Sequence, residues 1–401
     1  MIPYDPRRAD VVADPYPALG RLREEDPVHW SAILGGWVLT RYEDVRACLA
    51  DPRLSADRIT PFLARQAPTA TESIQALLRH VGLWVVFTDP PIHTRLRTAL
   101  GRAFTARSIE SRRPRITAIV DLLLNRAAAA GEMDLIRDFA YPLPVAVIGD
   151  LLGVPAEDHE KLKAWSDELA GFIGSSLGTP DKYGRAARAV AEMRGYFERI
   201  VARRRAAPAD DLVTALLATG DRGERLGEAE LIASCVLLLF AGHETTTNLI
   251  GNGALALLQH PDEARAWREK PALGPSAVEE LLRFDGPTPA MVRIAREALR
   301  IGEQQVGKGD RLFLMINAAN RDPEQFREPD RLDLGRADNR HLAFGHGIHF
   351  CLGAPLARLE GQLALPALLA RFPNLRLRGS APEWLDSLVF RGMRSLPVAL
   401  G

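Results

Sequence analysis

A mainly α fold with small β-sheets is what this 401-residue sequence predicts, and three observations predict it. Ile116 to Ala130, Arg185 to Arg205, Glu228 to His260 and Ser276 to Phe284 carry apolar residues at three- and four-residue spacing, the mark of helices with one buried face. Strand-like runs are confined to Val28 to Thr40, Arg293 to Ile301, Arg311 to Ile316 and Leu375 to the C-terminus, with glycine or proline at their ends. No repeat, low-complexity tract or long linker divides the chain. Residues 1–401 are therefore expected to form a single domain, although length alone would suggest roughly two to three.

Composition narrows the function classes. Lysine plus arginine and aspartate plus glutamate both number 51, so no global field draws the protein to nucleic acid or an anionic membrane. Pro3, Pro6, Pro15 and Pro17, with interspersed charges, break any signal-peptide core in the first 20 residues, and a cytoplasmic location is expected. The longest apolar run, Leu231 to Gly242, spans about 12 residues where a bilayer needs about 20, which reads as a buried helix. A monomer with no nucleic-acid or membrane partner is the expectation. Cys48, Cys235 and Cys351 are too few and too scattered for a disulfide framework. Cys48 and Cys235 lie among apolar helical residues and read as core.

Towards the C-terminus, Asn317 to Arg340 is polar, irregular and too long for an ordinary connection, a candidate functional loop. It leads into Phe344-Gly345-His346-Gly347-Ile348-His349-Phe350-Cys351-Leu352-Gly353. Three glycines around one cysteine permit a tight turn and let a flat cofactor approach the main chain. A helix follows, Ala354 to Ala370 with a possible kink site at Pro366, and its positive end points at the sulfur. Both features favour a thiolate. An ordinary buried cysteine, or a zinc site of His346, His349 and Cys351, are the competing readings. Against them, six fixed positions of the form FGxGxHxCxG arise by chance on the order of once in 10^8 starts, and structural zinc takes four ligands where no second cluster exists.

At this motif the sequence resembles the cytochrome P-450 family, and the resemblance extends over nearly the whole chain. Ala241-Gly242-His243-Glu244-Thr245 resembles its oxygen-activation motif, and Glu280-Leu281-Leu282-Arg283 its ExxR pair. Asp89-Pro90-Pro91-Ile92-His93-Thr94-Arg95-Leu96-Arg97 resembles the start of the helix that meets the haem propionates. Ala319 to Pro323 with Phe326 and Pro329-Asp330-Arg331 resembles the meander of soluble bacterial members. The fold thereby implied is a triangular prism with haem between the long central helix and the cysteine-loop helix.

The activity implied is a haem-thiolate monooxygenase that inserts one oxygen atom from O2 into a hydrophobic small molecule, by hydroxylation or epoxidation. Its cofactor would be haem b, with Cys351 as the iron ligand. Ala241, Gly242, Phe344, Gly345 and Gly353 would contact the haem, and His93, Arg97, Arg293 and His349 its propionates. Physically, Thr245 can return its hydroxyl to the Ala241 carbonyl, which bends a helix and opens a groove. Glu244 with Thr245 then supplies an acid and an alcohol that can order water and relay protons; the bland alternative is three tolerated threonines beside a solvated glutamate. Glu280 and Arg283 share a helix face, and in the family such a pair is buried with a meander arginine, matched by Arg331, in a structural role.

By family position the substrate pocket is expected at Leu83, Trp84, Val85, Val86, Leu237, Phe240, Ala241, Pro289, Ala290, Met291, Val389 and Phe390, nearly all apolar. Trp165 to Tyr183, with Gly171, Gly174 and Gly178, resembles the lid over it. No nucleotide-binding βαβ segment or iron–sulfur cysteine cluster is present, so electrons from NAD(P)H must come through a separate ferredoxin or flavodoxin. Arg95, Arg102, Arg107, Arg112, Arg113 and Arg358 are the candidate docking cations. A haem-thiolate peroxygenase and a non-catalytic haem sensor are the alternative functions.

Overall fold

The computed structural model describes residues 4–66, 71–174, 180–218, 225–379 and 382–401. They group into two compact units, each discontinuous in sequence: Met1–Leu54 with Arg112–Leu143 and Thr245–Gly401, and Ser55–Ser111 with Pro144–Glu244.

The first unit combines helices with the small sheets. Val28–Ser31 and Gly36–Leu39 form an antiparallel hairpin, so the expected Val28 to Thr40 run is two strands. The break comes at Gly35, whose positive φ of 59° closes the turn. Gly36–Leu39 pairs in parallel with Arg311–Leu314, which pairs antiparallel with Met291–Ala295. Period-two alternation serves both faces of this sheet. Leu312 and Leu314 enter a core cluster with Leu39, Val45 and Phe326, while Phe313 joins Val38, Leu19 and Leu22 in another. The expected Arg293 to Ile301 run likewise divides, into Met291–Ala295 and Leu299–Ile301.

Helices Arg113–Ala130, Gly274–Asp285 and Ala354–Arg371 cover the sequence expectations closely, the last running unbroken through Pro366. Asn317 falls in a short helix, Ile316–Ala319, and between Asn320 and His346 no regular element forms.

The second unit is built of helices, chiefly Glu72–Val81, Ile92–Ala103, His159–Ile173 and Lys182–Ala206. His159–Ile173 takes up half of the segment expected as a lid. Its Trp165 is buried and donates its indole N–H to Glu192 at 2.7 Å; Gly178 lies outside the described residues.

The central helix, Glu228–Gln259, is 32 residues long. It is long and apolar enough to cross a membrane, but 67% of its most apolar window is buried in the protein, as a core helix requires.

Candidate active site

Within the first unit, the cysteine loop is built by backbone hydrogen bonds and two left-handed glycines. Leu342 N–H donates to the Asn320 side chain at 2.7 Å, and Gly345 N–H to the Leu342 carbonyl at 2.8 Å. Gly345 and Gly347 both have φ of 73°, a region that only glycine enters freely. Crowding adds a second reason at Gly347, because a Cβ there would lie 3.2 Å from the Ala50 Cα and 3.3 Å from the Leu49 carbonyl. The turn then closes: Phe350 N–H donates to Gly347 and Cys351 N–H to Phe344, at 3.1 and 2.9 Å.

Cys351 precedes the N-terminus of the Ala354–Arg371 helix by three residues, with Gly353 as the cap. A Cβ at Gly353 would sit 3.9 Å from the sulfur. Cys351 is partly exposed, whereas Cys48 and Cys235 are buried and burial pushes both thiols up to about 12. Only Cys351 is therefore placed for ligand chemistry. Among the described residues no three His, Cys, Asp or Glu side chains gather as a metal site, which speaks against zinc held by His346, His349 and Cys351.

Behind the loop, Glu280 and Arg283 are fully buried and doubly hydrogen-bonded, at 2.7 and 2.8 Å. The arginine that completes this cluster is Arg336, whose Nε lies 3.1 and 3.0 Å from the two Glu280 oxygens. Arg331, expected in that place, gives only its backbone carbonyl to Arg283, at 3.1 Å, while its exposed side chain pairs with Glu328. The meander has no periodic structure to fix a phase, so sequence spacing could not choose among its arginines. Arg293 is buried on its strand, at 6% exposure. Met291, two residues earlier and so on the same face, packs against the loop, since a Cβ at Gly345 would lie 3.3 Å from its Cε.

Along the central helix, burial is nearly continuous apart from one accessible stripe of Leu238, Ala241, Gly242 and Thr245, spaced as one helical face. Glu244 lies beside it, buried, and burial first and the nearby Asp167 charge second raise its carboxyl to about 7, while Lys163 opposes. His243 is buried, its Nδ1 2.8 Å from the Leu239 carbonyl, and burial lowers its ring to about 4. On the Ile92–Ala103 helix of the second unit, His93 and Arg97 are four residues apart on one face. Burial of His93 and the Arg97 charge both lower its ring pKa.

Comparison with known proteins bears directly on this site. The family described as "Cytochrome P450" matches residues 70–270 and 273–388. The chain belongs to the cytochrome P450 family. It is 44% identical over 389 residues to cytochrome P450 107B1 of Saccharopolyspora erythraea, covering 95% of this chain and 94% of that one. It is 44% identical over 396 residues to the vitamin D(3) 25-hydroxylase of Pseudonocardia autotrophica, covering 97% and 94%. Among solved structures, CalO2 superposes with a TM-score of 0.92 at 36% identity, covering 100% of this chain and 99% of that one.

The P450 is thus an enzyme of O2-dependent oxidation with haem b as its prosthetic group. Its first unit fits such a group by donor chemistry and by space. A partly exposed cysteine stands three residues before a helix N-terminus, glycines line the turn, and buried cationic Arg293 suits an anionic propionate.

The residues expected around the P450 pocket differ in exposure. Trp84 is 1% exposed and stacks on Phe87 and Phe240, both at 6.0 Å, so it is a core residue. In the turn Val85–Phe87 it is Val86 that is exposed, while Val85 is buried; Leu83 is half-buried. Leu237 and Phe240 are buried beside the accessible stripe, and Leu238, which the sequence reading missed, lies on it. A helical phase counted back from Thr245 in steps of three and four would have found it. Pro289 and Met291 are half-buried, but Ala290 between them faces the other way, into the cluster of Tyr4, Leu19 and Phe313. Val389 is half-buried and Phe390 buried, both backbone N–H groups capped by Ser387 Oγ.

The candidate docking arginines differ in surroundings and exposure. Arg95 is bidentate to Glu230 and Arg358 to Glu279. Arg112 and Arg113 are half-buried, whereas Arg102 and Arg107 are exposed.

Proposed function

We propose that this P450 inserts one atom of O2 into a C–H bond or double bond of a hydrophobic small molecule in the cytoplasm. Two electrons would come from NAD(P)H through a separate ferredoxin or flavodoxin. The observation that carries this reading is the accessible stripe of Leu238, Ala241, Gly242 and Thr245, small or apolar apart from one hydroxyl, with a buried acid next to it. A relative at 44% identity is a vitamin D(3) 25-hydroxylase, and its name places a hydroxylation on an apolar molecule.

Cys351 would hold the haem iron, and His93, Arg97, Arg293 and His349 the propionates, with Phe344, Gly345, Gly353, Ala241 and Gly242 against the ring. When bound, haem with a thiolate ligand supplies O2 activation, because the sulfur donates electron density to the metal. The protein's own share is proton management and water exclusion. Glu244, poised at about 7, holds a transferable proton at neutral pH, which is where a general acid works best. Thr245 follows it in the chain, and its hydroxyl on the accessible stripe would order water through which protons pass. Leu238, the apolar residue one turn before Gly242 on the accessible stripe, would help to keep bulk water from an apolar substrate. For each turnover two electrons and two protons reduce one oxygen atom to water while the other enters the substrate.

The test is a spin-state screen of the haem-loaded protein over terpenoids, steroids, macrolides, fatty acids and aromatics. Hits are then turned over with labelled O2, NADPH and surrogate redox partners. One labelled oxygen per product molecule is expected. Product formed from peroxide but never from O2 with reductant would overturn the reading in favour of a peroxygenase.

A further inference from the structure

Glu279 precedes the buried Glu280 by one residue on the Gly274–Asp285 helix and so points about 100° away from it. Its carboxylate accepts both ends of the Arg358 fork, Nε on Oε1 and Nη2 on Oε2, each at 2.7 Å. It also accepts His341 Nε2 at 3.2 Å. The tautomer follows, because Ala343 N–H donates to His341 Nδ1 at 3.2 Å and leaves the ring proton on Nε2. Arg358 then lies over the Phe344 ring, Cζ 4.5 Å from the centroid, and the Phe344 carbonyl is the group that accepts Cys351 N–H. Burial would raise the Glu279 carboxyl, but the hydrogen bonds from Arg358 and His341 outweigh it and hold the group at about 2. Glu279 is an anion at any working pH. Arg358 is a cation held chiefly by Glu279, and it also interacts electrostatically with Cys351.

We propose that Glu279 and Arg358 form a charge-balanced clamp on the cysteine loop that fixes the electrostatic potential at the Cys351 sulfur and so sets how easily the haem-loaded protein is reduced. The proposal rests on Cys351 being the thiolate ligand. It makes Arg358 a positioning residue rather than part of a docking surface. A bidentate pair has one geometry, so both charges sit at constant distance from the sulfur and partly cancel there. Outer-shell charges and hydrogen bonds around a ligating sulfur are an established lever on reduction potential.

The clamp predicts signs that a purely structural role does not. Glu279→Gln leaves the cation unbalanced, which stabilises the added electron, so the potential moves positive. Arg358→Gln leaves the carboxylate unbalanced, and the potential moves negative. The double variant returns towards the parent, and Arg358→Lys, which keeps the charge, stays close to it. Loosening the loop without an electrostatic effect would move both single variants the same way. Arg358 is 33% exposed, so solvent and salt screen the effect and low ionic strength is required.

The experiment is spectroelectrochemical titration of the haem-loaded parent and the four variants, each accompanied by the spectrum of its reduced CO complex. Opposite shifts with recovery in the double variant are expected. Shifts of the same sign, or none, in variants that keep the parental CO band overturn the clamp. Should Glu279→Gln take up no haem, Arg358→Lys against Arg358→Gln decides, and equal potentials in those two overturn it. Failure of the thiolate assignment shows separately, as loss of the red-shifted CO band in the parent protein itself, and overturns both ideas.

Discussion

Arg336 lies across Glu280, its Nε 3.1 and 3.0 Å from the two carboxylate oxygens, and its own side chain is only 10% exposed. One buried carboxylate thereby serves two guanidinium groups, with Asn339 Nδ2 at 3.1 Å and Asp333 N–H at 3.0 Å filling its remaining sites. Such an arrangement ties the irregular meander to the Gly274–Asp285 helix through side chains instead of through a sheet or helix.

Arg336→Ala should therefore destabilise the protein by on the order of 3 kcal/mol, because it removes one partner of a buried charged network. Arg331→Ala should leave stability within the range of ordinary surface substitutions. Chemical denaturation of both variants checks this; equal losses would mean that Arg331 shares the structural role.

Glu244 couples pH to stability. Its ordinary value is 4.5 and burial moves it to about 7, so the folded state binds the proton that the unfolded state releases. Its favourable contribution is present below pH 4.5 and is lost as pH rises through 7, to the extent of about 3 kcal/mol. Glu244→Gln removes that dependence, and the variant should match or exceed the parent in stability at about pH 8 while losing the advantage near pH 5. Thermal unfolding across that range reads it out. Parallel pH profiles for parent and variant would show that Glu244 titrates normally.

Thr245→Ala should fold and bind haem normally yet divert electrons to peroxide, since the hydroxyl is the polar group on the accessible stripe of the central helix. The ratio of product formed to NAD(P)H consumed measures it. Unchanged coupling would remove Thr245 from the proton path.

Electron delivery should depend on Arg102 and Arg107, the exposed members of the candidate docking set. The pair of changes Arg102→Glu and Arg107→Glu should slow reduction by an acidic ferredoxin at low salt and leave the CO spectrum and substrate affinity unaltered. Stopped-flow reduction over a salt series decides; identical rates and salt dependence place the docking site elsewhere.

Much of this was legible in the sequence where local physics dominates. The helices from Arg113, Lys182, Glu228 and Gly274 announce themselves by period, and the cysteine loop by glycines whose backbone angles no other residue enters freely. What escaped was set by tertiary contact. Nothing near Trp84 signals that its ring stacks on Phe240, 156 positions away, and nothing near Arg358 signals Glu279, 79 positions away. Arg331 and Arg336 are both plausible in a segment without periodicity, and only packing against Glu280 separates them. Ala290 shows the reverse case, in which strand alternation would have assigned its face had the strand been started at Met291 instead of Arg293.

The role of Cys351 as haem-iron ligand is read most directly from the absorption spectrum of the reduced CO complex of Cys351→His beside the parent. The parent is expected to show the strongly red-shifted Soret band of a thiolate-ligated haem, and Cys351→His to retain some haem but lose the band. A variant that keeps the band would contradict that role, because the thiolate would then have to come from another residue.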